Sequence, residues 1–131
     1  MKLFFDENIP KYLFKGLKEL IKTKYKDEEL IYTPESFEYG MSDTDLIQLI
    51  SDQEGVLITN DKAIRKQYRE ILKTSNIIVV FFYFKKHSDY WQKVKFTINK
   101  WEHFINLLND NRPYGLKVFH NNDNPEKIPF N

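Results

Sequence analysis

The segment IIVVFFYF, residues Ile77–Phe84, is the longest apolar and aromatic run in the chain, and it decides the architecture. β-branched and aromatic side chains favour strands. A strand with apolar residues on both of its faces is typical of a parallel sheet that is covered by helices on either side. We therefore expect a central, mainly parallel sheet that contains this segment.

Shorter apolar segments before and after this run are separated by stretches with helical periodicity. The other predicted strands are Lys2–Phe5, Leu30–Thr33, Val56–Thr59 and Tyr114–Phe119. Apolar residues in steps of three and four predict the helices between them: Leu13, Leu17, Leu20 and Ile21; Leu46, Ile47, Leu49 and Ile50; Ile64, Tyr68, Ile71 and Leu72; Trp91, Val94, Ile98, Trp101, Ile105 and Leu108. The alternation predicts an α/β fold of three layers, in which right-handed crossovers join the strands.

Turn and capping residues predict where these elements begin and end. Pro10 suits the first turn of the first helix, and Ser42 resembles a cap of the second helix, after a polar loop that carries Gly40. Gly55 ends that second helix, and Ser88 opens the longest one.

The composition indicates one domain over residues 1–131, with a flexible C-terminal tail over 121–131. Twenty basic residues face nineteen acidic ones, which argues against a protein that coats nucleic acid through bulk charge. The chain has no cysteine and no apolar run near 20 residues, so we expect neither disulfides nor a membrane span. An acid at Asp6 comes too early for a signal peptide, and we expect a cytoplasmic protein.

Three aspartates fall where a parallel sheet places its ligand sites. Asp6 directly follows the first strand, and Asp61 follows the third. Asp43 stands at the start of the helix that precedes the third strand. Ligands of open α/β sheets bind beyond the carboxyl ends of the strands, so we expect these three carboxylates to meet there. Glu7 and Asp45 are further acids nearby.

Carboxylates in one place require compensation. Three of them within about 5 Å cost about 3 kcal/mol per pair at an effective dielectric constant near 20. A hard divalent cation supplies that compensation directly, and Mg²⁺ and Mn²⁺ prefer oxygen ligands. Such an ion can activate water and stabilise charge on a phosphodiester. Without cysteine, and with only three scattered histidines, a zinc site has little support.

Each candidate also has an ordinary structural explanation. An aspartate after a strand is common in turns, and an acid in a first helical turn complements the helix dipole. Asp45 is suited to be the capping partner of Ser42. Asn8 is suited either to cap a helix or to orient a metal-bound water. Lys62 and Arg65 lie close enough to the expected crevice to contact an RNA phosphate. The ordered set of three aspartates favours a site.

Three motifs resemble those of PIN-like domains: KLFFDEN at residues 2–8, MSDTDLI at 41–47 and VLITNDK at 56–62. They occur in the expected order over about residues 1–85, and the likeness extends to small PIN-like proteins related to VapC-type toxins. The resemblance implies a Mg²⁺- or Mn²⁺-dependent ribonuclease with Asp6, Asp43 and Asp61 as its catalytic and metal-binding acids, and Asp45 as a weaker candidate. It also implies an RNA substrate and an antitoxin partner. Many such nucleases carry a fourth acid, for which Asp89 is a poor match.

Two other functions fit part of the pattern. A phosphoacceptor receiver domain would use Asp61 as acceptor and Lys85 as its lysine, although no serine or threonine ends the fourth strand. A catalytically inactive PIN-like binding module would use the same acids only as caps. The stripe Trp91–Leu108 is expected to be core or the face of a homodimer.

Overall fold

The computed structural model describes residues 1–37, 41–109 and 111–130, so the predicted loop at Gly40 lies outside the described residues. Its elements are β1 (Lys2–Phe5), α1 (Lys11–Ile21), β2 (Glu29–Tyr32), α2 (Thr33–Ser36), α3 (Asp43–Asp52), β3 (Val56–Thr59), α4 (Ile64–Gln67), α5 (Arg69–Thr74), β4 (Ile78–Tyr83), α6 (Tyr90–Ile105), β5 (Tyr114–Phe119) and β6 (Glu126–Ile128). Within these ranges no helix is long and apolar enough to cross a membrane.

The six strands form one sheet in the order β2-β1-β3-β4-β5-β6. Strands β1 to β5 pair in parallel, and β6 pairs with β5 antiparallel. The predicted mainly parallel sheet is therefore confirmed. The parallel strands all end at one side of the sheet, which we call the carboxyl edge.

Apolar side chains cover both faces of the sheet, which confirms the three predicted layers. One face packs against α1 and α6 through a core that includes Leu13, Leu17, Trp101 and Phe104. The other packs against α3, α4 and α5 through Ile47, Ile50, Ile64 and Leu72. Strand β4 contributes to both cores, with Val80 and Phe82 on one side and Val79 and Phe81 on the other.

The predicted third helix is two short helices. Tyr68 lies between α4 and α5 with φ −117° and ψ 29°, outside the helical region, and its backbone geometry ends the first helix. The short helix α2, with Pro34 near its start, was not predicted. Strand boundaries agree with the predictions to within one residue.

The stripe Trp91–Leu108, expected to be core or the face of a homodimer, is only partly core. Trp91 and Ile98 are 65% and 44% exposed, whereas Phe96 and Lys100 are buried beside Trp101. The 3.6-residue period allows two neighbouring stripes, and the sheet covers the one that holds Phe96, Lys100 and Phe104. A homodimer contact through the exposed stripe stays a prediction. Leu20 of α1 was also expected in the core and is 54% exposed.

The cap of α6 is Asp89 rather than Ser88. The Asp89 carboxylate accepts from the Gln92 backbone N–H, and the Gln92 side chain accepts from the Asp89 backbone N–H, each at 2.8 Å. This reciprocal capping box accounts for Asp89 as a structural residue.

The expectation of a flexible C-terminal tail is wrong for the segment 126–130. Strand β6 pairs with β5, and Ile128 and Phe130 are 5% and 4% exposed. Their side chains belong to the core on the α3–α5 face. The apolar residues of this segment were too few to predict a strand, because β6 is only three residues long.

Candidate active site

Strands β1 and β3 bring Asp6 next to the residues that lead to Asp61. The two strands pair with Phe5 opposite Ile58, and the Asp6 backbone N–H donates to the Ile58 carbonyl at 3.3 Å. Asp6 thus lies opposite Thr59, the last residue of β3. The Thr59 hydroxyl accepts a hydrogen bond from the Asp61 backbone N–H at 3.0 Å. This arrangement holds both aspartates at the carboxyl edge.

Helix α3 brings Asp43 to the same edge. A crossover helix runs back along the sheet, so its first residues lie where the preceding strand ends. Ser42 caps α3 by accepting from the Asp45 backbone N–H at 3.1 Å. Ile47 and Ile50 then fix the helix on the sheet through the core that contains Phe4 and Leu57.

The three predicted aspartates line one cavity. Its volume is about 30 Å³, more than the roughly 10–15 Å³ that a cavity needs to hold one water molecule. It therefore has room for one water or one small ion. The lining residues are Asp6, Glu7, Asn8, Asp43, Leu46, Ile47, Leu57, Asp61 and Ile64. We call it the acid cavity.

Asp6 is the buried member of the set, with 3% of its surface exposed. Desolvation raises the pKa of its carboxyl from 3.8 to about 6, and the negative charge of Glu7 adds to the rise. Hydrogen bonds from Thr59 and Asn8 act in the opposite direction. Asn8 donates its backbone N–H to one carboxylate oxygen at 3.0 Å and its side-chain amide to the other at 3.5 Å.

Asp43 and Asp61 are held by partners of their own. The Tyr68 hydroxyl donates to Asp43 Oδ2 at 2.8 Å, and this hydrogen bond raises the pKa of Tyr68. The backbone N–H of Ala63 donates to Asp61 Oδ1 at 3.0 Å. An ionised carboxylate has about four lone-pair sites, so each aspartate can accept further bonds or ligate an ion.

The side chains of the acid cavity are of the kind that binds a hard divalent cation, but in their present arrangement they could not hold one. Carboxylate oxygens are the donors that Mg²⁺ and Mn²⁺ prefer, and Asp6 is a desolvated carboxylate whose charge a cation would compensate. Among the described residues, however, no three histidine or acidic side chains are grouped so that they could hold one metal ion. Asp43 and Asp61 instead use oxygens for Tyr68 and Ala63. Binding of an ion thus requires these side chains to reorient.

The two weaker candidates, Asn8 and Asp45, differ in whether they line the acid cavity. Asn8 lines the acid cavity and orients the Asp6 carboxylate. It does not cap α1, because the residue at the cap position is Pro10 and no side chain in the described part of the chain makes a capping hydrogen bond there. Asp45 is exposed and is not among the lining residues; its backbone N–H serves the cap of Ser42.

The two predicted RNA-contacting residues have structural partners and do not line the acid cavity. The Lys62 ammonium lies 4.8 Å from the centre of the Tyr83 ring, and partial burial lowers the pKa of Lys62. The Arg65 guanidinium donates to the Pro129 carbonyl at 3.2 Å. Their contact with RNA stays a prediction.

Two residues that organise the acid cavity were not predicted as part of it. Thr59 connects Asp6 to Asp61, and Tyr68 holds Asp43 although 25 residues separate them. Thr59 lies in an ordinary strand motif. Tyr68 had been assigned to the core by its periodicity, so only the tertiary fold could reveal its hydroxyl contact.

One comparison with known proteins gives a match. A family model described as a PIN like domain matches residues 1–86 of the 131, so the resemblance that the three motifs carry is confirmed over this part of the chain. The matched range includes Asp6, Asp43 and Asp61 and ends before α6. No curated protein and no solved structure matches the chain.

Proposed function

Because the chain belongs to the PIN-like domain family, we propose that it is a Mg²⁺- or Mn²⁺-dependent endoribonuclease that works at the acid cavity. Family membership supports a nuclease-like protein, and the cleavage of RNA is our proposal. Asp6, Asp43 and Asp61 are the proposed catalytic and metal-binding residues.

One observation carries this proposal. Three aspartates, one after β1, one at the start of α3 and one after β3, line a single small cavity, although 55 residues separate the first from the last. The described lining of that cavity contains no lysine or arginine to balance them. Clustered carboxylates without basic partners are expensive to maintain, which suits a site that acquires its positive charge from a cation.

The proposed division of labour follows from the contacts of each residue. Asp6, Asp43 and Asp61 would hold the ion, with water completing its coordination. A bound Mg²⁺ or Mn²⁺ supplies a Lewis acid that lowers the pKa of water and stabilises charge on a phosphodiester. Asn8 and Thr59 orient the Asp6 carboxylate, and Tyr68 positions Asp43 until the ion is bound.

The direct experiment is incubation of the purified protein with labelled single-stranded RNA. We expect cleavage with Mg²⁺ or Mn²⁺ and none in EDTA, because none of the described residues that line the acid cavity is a lysine or arginine that could substitute for the ion. Calorimetry with Mn²⁺ should show binding and a rise in melting temperature. A protein that binds neither ion and cuts no RNA would be an inactive binding module, and the proposal would be wrong.

A receiver domain fits the site less well. The strand order of the first five strands is shared with that fold, so topology does not separate the two. The lysine that a receiver would need, Lys85, lines a different cavity from Asp61. The family match likewise favours the nuclease.

We also propose that the protein is the toxin of a toxin–antitoxin pair, which rests on the likeness of its motifs to those of VapC-type proteins. Induced expression in a bacterial host is then expected to arrest growth, and expression of a small protein encoded beside it should relieve the arrest. Unchanged growth during verified expression of active enzyme would contradict the toxin proposal and leave the nuclease proposal standing.

A further inference from the structure

A groove runs along α6 from the carboxyl edge of the sheet. It has a volume of about 670 Å³ and lies mostly in the part of the chain that the family model does not cover. The chain enters it at Lys85, two residues after β4, and at His120, directly after β5. On α6 itself the lining extends from Gln92 to His103, about 16 Å of helix. We call it the α6 groove.

Basic side chains dominate the α6 groove. Lys85, Lys95, Lys100, His103 and His120 line it, and Asp123 is the one acidic residue in its described lining. Three lysines against one aspartate give a local charge of +2 with neutral histidines, whereas the whole chain has +1. The acid cavity, by contrast, holds Asp6, Glu7, Asp43 and Asp61. The α6 groove lies on the face of the sheet that α6 covers and the acid cavity on the face that α3–α5 cover, so positive and negative charge are segregated between two regions that both reach the carboxyl edge.

The groove offers donors to an anion and already holds one carboxylate. The Lys100 side chain is 9% exposed and its ammonium donates to Asp123 Oδ1 at 2.8 Å, while His103 Nε2 lies 3.9 Å from the same oxygen. Asp123 itself is 72% exposed and comes from the turn after β5. An exposed carboxylate thus occupies a position that a phosphate oxygen could take.

An aromatic side chain lies next to the groove. Trp91 is 65% exposed and precedes Lys95 by four residues, so both lie on the same side of α6. A positive groove beside an exposed aromatic ring is a combination that single-stranded nucleic acid binds, through phosphates and stacked bases.

We propose that the α6 groove binds the phosphodiester backbone of single-stranded RNA next to the cleavage site. The inference rests on the proposed ribonuclease function, because RNA is the substrate that would cross both regions. The negative charge of the acid cavity repels the phosphates of RNA until an ion is bound there. The α6 groove supplies attraction that needs no ion, and it keeps the neighbouring phosphates in place at the carboxyl edge.

The test is binding of a short fluorescein-labelled single-stranded RNA, followed by anisotropy in EDTA, where no cleavage is expected. Lys85→Gln combined with Lys95→Gln should weaken binding about tenfold and lower the slope of log affinity against log salt by roughly 0.7 per lysine. Asp123→Asn should strengthen binding about threefold, because it removes the acidic lining residue. Opposite effects of these variants cannot come from loss of folding.

The matched control is Lys22→Gln combined with Lys26→Gln. These lysines and Lys18 line a cavity of about 410 Å³ at the start of β2, where Glu28 and Glu29 offset two of the three positive charges. The charge change in the control equals that of the groove pair. Equal affinity and salt slope in the two pairs would overturn the inference, as would a wild-type protein that binds no RNA in EDTA.

A separate experiment with inorganic phosphate tests whether the α6 groove binds the phosphates of RNA or any small phosphate anion. If NMR shifts at His103 and His120 respond to inorganic phosphate while the groove pair leaves RNA affinity unchanged, the groove is a small-anion site and the RNA assignment is wrong. Cleavage in Mg²⁺ measured on the same samples separates the two proposals. If the protein cleaves RNA but the groove substitutions do not change RNA affinity, only the proposal for the α6 groove is refuted. If the substitutions weaken RNA binding but the protein does not cleave RNA, only the nuclease proposal is refuted.

Discussion

Replacement of Asp61 by Asn is expected to lower the rate of Mg²⁺-dependent RNA cleavage by about 10²–10³-fold. The amide keeps the shape of the side chain and can still accept the hydrogen bond from the Ala63 N–H. It removes one negative charge from the cavity and replaces an oxygen ligand by a nitrogen that does not ligate a hard cation. Asp43→Asn should behave in the same way, and single-turnover cleavage of labelled RNA measures both.

Asp45→Asn is the matched control for these substitutions. Asp45 lies two residues from Asp43 in the first turn of α3, but it is not among the lining residues of the acid cavity. Its backbone rather than its side chain contributes to the helix cap, so folding should be retained. Equal activity of the Asp61→Asn, Asp43→Asn and wild-type proteins would refute the assignment of the site, and equal loss in Asp45→Asn would show that the effect is not specific to the cavity.

Asp6→Asn is expected to abolish cleavage and also to stabilise the metal-free protein above about pH 6. Burial raises the pKa of Asp6 from 3.8 to about 6, so the folded protein holds a proton that the unfolded chain has already released between these two values. Stability therefore falls as the pH rises through this window, by about 2–3 kcal/mol in all. The neutral amide avoids this cost.

Urea unfolding in EDTA at several pH values measures this difference. The variant should exceed the wild type by about 2–3 kcal/mol at neutral pH, and the two should converge below about pH 4, where Asp6 is protonated in both states. Added Mg²⁺ should raise the stability of the wild type but not of the variant. A difference that does not change with pH would show that the Asp6 carboxylate is not destabilised by burial.

Those positions of the site that follow from topology could be predicted from the sequence. Asp6 directly follows one apolar strand and Asp61 comes two residues after another, and parallel strands end at a common edge whatever their detailed packing. Asp43 was placed because Ser42 marks the start of a crossover helix. The class of fold followed in the same way from the alternation of strands and helices.

Features that depend on tertiary packing could not be predicted. The exposed Trp91 and the buried Lys100 lie on adjacent stripes of α6, and only the sheet decides which stripe is covered. The α6 groove combines residues from α6 with the segments after β4 and β5, which share no sequence motif. The orientation of the Asp43 carboxylate depends on Tyr68, a residue of the break between α4 and α5.

The C-terminal strand has a practical consequence for handling the protein. A version shortened before residue 126 would expose the backbone of β5 as a free edge, and such edges promote aggregation by pairing with other chains. It would also remove the Pro129 carbonyl that holds Arg65 of α4, just after Asp61. An affinity tag is better placed before Met1, which is exposed and lies at the amino ends of the parallel strands, away from the acid cavity.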